Sequence, residues 1–200
     1  MKLTIQHLQR MQTIDNEAFN EYFKKSSQLL IEQIEHLSAI ATAFSDFAKM
    51  PETQIEHVNI SDRLEQIIEL FKNNREHVEI TYTPSPEQLL VLADKEQLTQ
   101  VFNNLLKNAI QAIPTDRKGY IHIETEVKNK HVRVEIKDNG TGIETDIQDK
   151  LFTPNFTTKT SGMGLGLAIV KNIVTGNGGK IWFTTTPNEG TSFFVEFPLV

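Results

Sequence analysis

A chain of 200 residues, 38% hydrophobic and 23% charged, has the make-up of a folded soluble protein with one good core and some chain to spare. Its net charge of −6 argues against a broad nucleic-acid-binding face, and the lack of cysteine excludes disulfides, thiolate catalysis and thiolate metal centres. No apolar run approaches the roughly 20 residues that span a bilayer, and MKLTIQHLQRMQTIDNE has no signal-peptide core; the reading is a soluble, cytoplasmic chain.

In chain order, residues 1–50 lack glycine and read as helical. Met1, Ile5 and Leu8 make a short stripe that breaks at Thr13 to Asn16. Phe23, Leu30, Ile34, Leu37, Ala41, Phe44 and Ala48 then follow 3–4 spacing, the seam of a helical pair. Pro51 ends it. The first arm is too short to match the second, so the spacing predicts a truncated helical hairpin over 1–50 and a second domain over 51–200. There Ser61 is the predicted N-cap of a helix through Leu64, Ile67, Ile68 and Phe71. His77 to Thr83 and Gln88 to Leu92 read as strands. Asp94 caps a long helix, with Gln97 completing a capping-box pattern. Strands at Tyr120–Val127 and His131–Lys137 flank Asn129-Lys130, a two-residue turn that would set Val127 opposite Val132, Thr125 opposite Val134 and Ile123 opposite Ile136. A helix starting near Gly164 and strands at Lys180–Thr185 and Ser192–Phe197 complete an α+β fold. It is a two-layer α/β sandwich, with a mixed sheet covered by helices.

Four segments carry unusual residues. Asn104 and Asn108, four apart on the long helix, share a face. Their amide oxygens suit Mg²⁺, although such a pair also fits a solvated face. Asp138-Asn139-Gly140-Thr141-Gly142-Ile143 follows a strand. Its carboxylate can accept from an amine such as that of adenine, and its glycines let backbone approach a ligand; a plain turn is the alternative. Gly162-Met163-Gly164-Leu165-Gly166 opens a helix, where N–H groups and the helix dipole favour an anion. Neither a Rossmann nor a Walker motif is present. Leu151-Phe152-Thr153-Pro154-Asn155-Phe156-Thr157-Thr158-Lys159 reads as a lid anchored by its aromatics, with Lys159 near a phosphate, or as a surface loop with both phenylalanines in the core.

In this order the segments resemble the ATP-binding catalytic domain of sensor histidine kinases, within the group containing DNA gyrase B, Hsp90 and MutL (the Bergerat fold). NNLLKNAIQA is similar to the N box, DNGTGI to the first glycine box, LFTPNFTTK to the F box and GMGLGLAIVKNIV to the second glycine box. GGKIWFTTTPNEGTSFFVEFP resembles the closing hairpin, and the match runs from Ile55 to Val200. Asn155, where a bulky residue is common, and Asn177, where histidine often precedes Gly-Gly, depart from the pattern. The resemblance implies ATP and Mg²⁺ as ligands, with Asn108 on the metal and Asn104 orienting water or phosphate. Asp138 would receive the adenine amine, Gly140 and Gly142 shape its pocket, and Thr191 assist through water. Gly162, Gly164 and Gly166 would cradle phosphate. Lys107, Ile143, Phe152, Thr158, Lys159, Met163 and Leu165 complete the implied contacts.

LIEQIEHLSAIATAFSDFAKMP resembles the second helix of the dimerisation hairpin of nitrogen-regulation (NtrY-like) sensor kinases, and MKLTIQHLQRM the end of the first. The phosphoacceptor motif is absent: His7 and His36 lack the acidic-then-proline context. No catalytic residue is therefore assigned. The resemblance implies a cytoplasmic kinase fragment that transfers the γ-phosphoryl of ATP to a histidine supplied elsewhere, for relay to a response regulator receiver domain. It would form a homodimer through the N-terminal helices, with a parent protein at the inner membrane. A serine kinase of the anti-sigma-factor type and a non-catalytic nucleotide-sensing dimer are the alternatives. A gyrase- or MutL-like ATPase is disfavoured because Asn104 stands where those enzymes carry glutamate.

Overall fold

The computed structural model describes residues 23–31, 34, 53–72, 77–157 and 164–200. Residues 23–31 are helical (α1), with Phe23, Leu29 and Ile31 exposed. The rest of the predicted hairpin, His7 and His36 lie outside the described residues. Helix α1 belongs to a different compact unit from the one that carries the sheet.

The larger unit begins with β1 (Ile55–Asn59), which runs directly into α2 (Ile60–Lys72). Asn59, not Ser61, caps this helix: its Oδ1 accepts from the Ser61 N–H at 3.0 Å. Strands β2 (Val78–Thr83) and β3 (Leu90–Asp94) precede α3 (Lys95–Ala112). The Asp94 side chain accepts from the N–H groups of Glu96 and Gln97, as predicted. Gln97 does not close a reciprocal box, because its amide turns instead to Thr53 Oγ1 and the Asn177 side chain. Strands β4 (Gly119–Lys128) and β5 (His131–Asp138) form a hairpin. Asn129 and Lys130 both have positive φ, the two-residue turn geometry that matches strand twist. The pairs Val127–Val132, Thr125–Val134 and Ile123–Ile136 are those the sequence predicts. After a 3₁₀ turn at Thr145–Lys150 come α4 (Gly166–Gly176), β6 (Lys180–Thr186) and β7 (Gly190–Pro198). Helix α4 starts at Gly166 rather than Gly164, whose φ of +64° is not helical.

The main sheet has the order β2-β4-β5-β7-β6, with β2–β4 parallel and the other pairs antiparallel. The predicted strand near 88–92 is not part of it. As β3 it pairs with β1 in a separate two-stranded sheet. The helices cover the sheet through a single core. Leu98, Val101, Phe102, Leu105, Leu106, Ala109 and Ile110 of α3 meet Ile121 and Ile123 of β4, Val132, Val134 and Ile136 of β5, and Phe193, Val195 and Phe197 of β7. The two-layer α+β sandwich is thus the fold, with α3 crossing between the parallel neighbours β2 and β4. No helix among the described residues is long and apolar enough to cross a membrane.

Candidate functional site

The inner face of the sheet changes character at one end. Along β5 the buried column Val132, Val134, Ile136 ends in Asp138; along β7, Phe197, Val195, Phe193 ends in Thr191. On β6 the same alternation carries Ile181 and Phe183 to Thr185. Register sets Asp138 opposite Thr191 and Thr191 opposite Thr185, so three polar side chains form one row across three strands. Asp138 is 4% exposed and Thr191 5%.

The row is held by hydrogen bonds. Asp138 Oδ1 accepts from the Gly140 N–H at 2.8 Å. Thr185 Oγ1 donates to Gly190 O at 3.0 Å, accepts from the Ile143 N–H at 3.0 Å and lies 3.0 Å from Thr191 Oγ1. With the single Thr185 proton committed to Gly190, Thr191 is the donor of the threonine pair, and its oxygen keeps acceptor capacity. Sequence reasoning missed Thr185. Its signal was the strand alternation with Ile181 and Phe183, which puts it on the inner face.

Glycines shape the wall beside this row. A Cβ on Gly140 would sit 2.7 Å from both Ala112 O and Asp138 Oδ1. Gly142, at φ +69°, would drive one into the Thr186 backbone. Both positions exclude side chains, as the sequence reading required.

Helix α3 carries Asn104 and Asn108, both half-buried one turn apart. The Asn104 amide nitrogen donates back to Gln100 O at 3.0 Å, and its Oδ1 faces Gly166, where a Cβ would come within 3.1 Å. The structure therefore brings the first asparagine to the start of α4. That start has no side-chain cap, and the first N–H groups of a helix lack intrahelical partners. Asn108 is engaged by a partner within the protein, and Lys107 is exposed. Leu165 precedes α4, half-buried. The Ile143 side chain packs at the core margin.

Phe152 also packs against the core, its ring centroid 6.0 Å from that of Phe183 and 5.7 Å from Lys171 Nζ. Gly164 lies against the Asn155–Phe156 backbone, where a Cβ would meet Phe156 O at 2.5 Å. Thr158, Lys159, Gly162 and Met163 lie outside the described residues. Of the two departures, Asn155 has φ +65° and Asn177 caps α4, its side chain donating to Ile173 O at 2.8 Å. Among the described residues no group of three or more His, Cys, Asp or Glu side chains is placed to hold a metal.

Residues 93–200 match the family model described as histidine kinase-, DNA gyrase B-, and HSP90-like ATPase. The chain belongs to that family. Its catalytic unit is of the sensor histidine kinase type. It is 30% identical over 175 residues to the sensor histidine kinase ZraS of Escherichia coli K12, covering 86% of this chain and 37% of ZraS. To the nitrogen regulation protein NtrY of Azorhizobium caulinodans it is 30% identical over 185 residues, covering 90% of this chain and 24% of NtrY. The chain thus spans well under half of these relatives. Among solved structures, the catalytic domain of histidine kinase ThkA superimposes with a TM-score of 0.66 at 34% identity, covering 73% of this chain and 96% of that domain. ThkA in complex with the response regulator protein TrrA gives a TM-score of 0.72 at 26% identity, covering 99% of this chain and 57% of ThkA.

Proposed function

We propose that this chain binds ATP with Mg²⁺ and transfers the γ-phosphoryl group to a histidine, for relay to a response regulator. The observation that carries the reading is the polar row Asp138–Thr191–Thr185 replacing the apolar column at one end of the inner face, walled by glycines where a Cβ would not fit. A buried carboxylate at such a margin selects a flat ligand with an amine. Adenine fits that chemistry, with Asp138 accepting from the amine and Thr191 acting directly or through water.

Asn104 lies toward the start of α4, whose N-terminal N–H groups suit phosphate oxygens. Asn108 is the proposed Mg²⁺ ligand. An amide oxygen fits a cation that fills its sphere with waters and substrate phosphates. When bound, Mg²⁺ would neutralise charge on the phosphates. Gly164, Gly166 and Leu165, with Gly162, Met163, Thr158, Lys159 and Lys107, are the proposed phosphate-side contacts, and Ile143 and Phe152 close the pocket margin. The protein's part in phosphoryl transfer is positioning: the bond from γ-phosphorus to the β-phosphate oxygen breaks as a bond to an imidazole nitrogen forms.

Neither His7 nor His36 sits in a phosphoacceptor motif, so this chain is expected not to phosphorylate itself but to phosphorylate a supplied acceptor domain. A receiver-domain partner accords with the ThkA–TrrA complex. Dimerisation through residues 1–50 and membrane attachment of a longer parent complete the proposal. ZraS and ThkA are named as histidine kinases, which disfavours the serine-kinase alternative.

Calorimetric titration with a non-hydrolysable ATP analogue, with and without Mg²⁺, tests the site. Magnesium-dependent binding that Asn108→Ala removes is the expected result. Magnesium-independent binding unaffected by that change would sink the metal assignment.

A further inference from the structure

Arg117 lies in the connection between α3 and β4, exposed to solvent and outside every motif the sequence singles out. Its Nη2 donates to the carbonyls of Asn139 and Gly140 at 2.5 and 2.6 Å. These two residues follow Asp138, and the Gly140 N–H is the donor that fixes Asp138 Oδ1. The rest of the turn is tied to the same connection. Asn139 Oδ1 accepts from the Tyr120 N–H at 2.8 Å, Asn139 Nδ2 donates to Lys118 O at 3.1 Å, and the Thr141 N–H donates to Ala112 O at 2.9 Å. Within this set Arg117 supplies a charged side chain that reaches in from the connection.

An exposed arginine pays rotamer entropy to hold one geometry, and burial gives it nothing back here. Two charge-assisted bonds to neighbouring carbonyls make up the return, and their effect is to fix the peptide planes on either side of Gly140. We infer that Arg117 is a positioning residue for the adenine end of the site. It holds the turn so that the Gly140 N–H stays on one oxygen of Asp138 and the carboxylate keeps a single orientation toward the ligand. The inference rests on the nucleotide reading of the site. The Arg117 bonds go to the turn after Asp138 and not to Asn104 or α4, so Arg117 acts on base recognition and not on phosphate binding.

The test compares adenosine diphosphate with inosine diphosphate, which lacks the amine, by competition against a fluorescent nucleotide on the full chain. Wild type, Arg117→Ala and Arg117→Lys are titrated and melted. Arg117→Ala is expected to weaken adenosine diphosphate by about three- to tenfold, leave inosine diphosphate within about twofold and lower the melting temperature by no more than about 4 °C, the scale of a lost exposed interaction. Arg117→Lys, which keeps the charge but not the fork, is expected to recover part of the loss. An adenosine diphosphate affinity unchanged in Arg117→Ala, or a fall matched by inosine diphosphate, overturns the positioning role. Wild-type protein that does not prefer adenosine over inosine diphosphate overturns the adenine site itself, a separate result.

Discussion

Two buried aspartates end strands in this domain, and their surroundings differ. Asp94 closes β3 and Asp138 closes β5; they are 8% and 4% exposed. Around Asp94 both carboxylate oxygens are taken by backbone. Oδ1 accepts from Glu96 and Gln97 at 2.9 and 3.0 Å, and Oδ2 from Gln54 at 2.9 Å. Burial pushes its pKa up, but the N–H groups of Gln97, Gln54 and Glu96 together outweigh that and hold it below the usual value. Asp138 is followed by a glycine turn instead of a helix, with the Gly140 N–H on Oδ1 and a wall into which no side chain fits. The same residue at the same kind of position is a helix cap where three N–H donors converge on it, and the proposed adenine-binding group where a glycine turn follows it.

The sharpest way to break that contrast is to neutralise each in turn. Asp138→Asn should weaken adenosine diphosphate by about 10- to 100-fold, the scale of a lost hydrogen bond to a charged group, with little change in melting temperature. Equal affinities for the two proteins by calorimetry would make Asp138 another structural carboxylate. Gly140→Ala should follow at about tenfold, because its Cβ has only 2.7 Å to Ala112 O and Asp138 Oδ1. Full binding by that variant would show that the turn gives way at no cost. Asp94→Ala should do the reverse: nucleotide affinity stays, while loss of the cap costs about 1 kcal/mol and lowers the melting temperature by about 2–4 °C. An affinity loss as large as that of Asp138→Asn would erase the distinction.

The smallest expected effect is in acid. The folded pKa of Asp94 is depressed, so the unfolded chain takes up its proton first. The contribution is full above the ordinary carboxylate value of about 4 and fades as pH falls through the folded value. Wild type should therefore lose stability more steeply than Asp94→Ala between about pH 5 and pH 3. Parallel thermal melts in that range would refute the account of Asp94 as a carboxylate held by backbone N–H groups.

What was legible in the sequence was mostly local. The β4–β5 register followed from one turn, because a two-residue loop leaves no freedom to slip. The α3 stripe and its Asp94 cap lie within one window of the chain. Strand β1 was missed because only Val58 of its five residues is buried, which leaves no alternation to read. The cap of α2 was misplaced by two residues, since Asn59 and Ser61 are both good capping residues and only geometry chooses between them. At the site, the asparagines, glycines and Asp138 stood out as residue types that fit their surroundings poorly. Thr185 and Arg117 did not. A threonine in a strand and an arginine in a loop are unremarked until β6, β7 and the β5 turn are brought together in space.

The parallel β2–β4 pair has a consequence for how the domain assembles. The β4–β5 and β6–β7 hairpins close over short turns, whereas β2 finds β4 only after residues 84–118, including all of α3, have looped back. Strand β2 is then expected to dock last and leave first. Its backbone amides should exchange with solvent ahead of those in β5 and β7, while the hairpin strands that carry the polar row keep their protection.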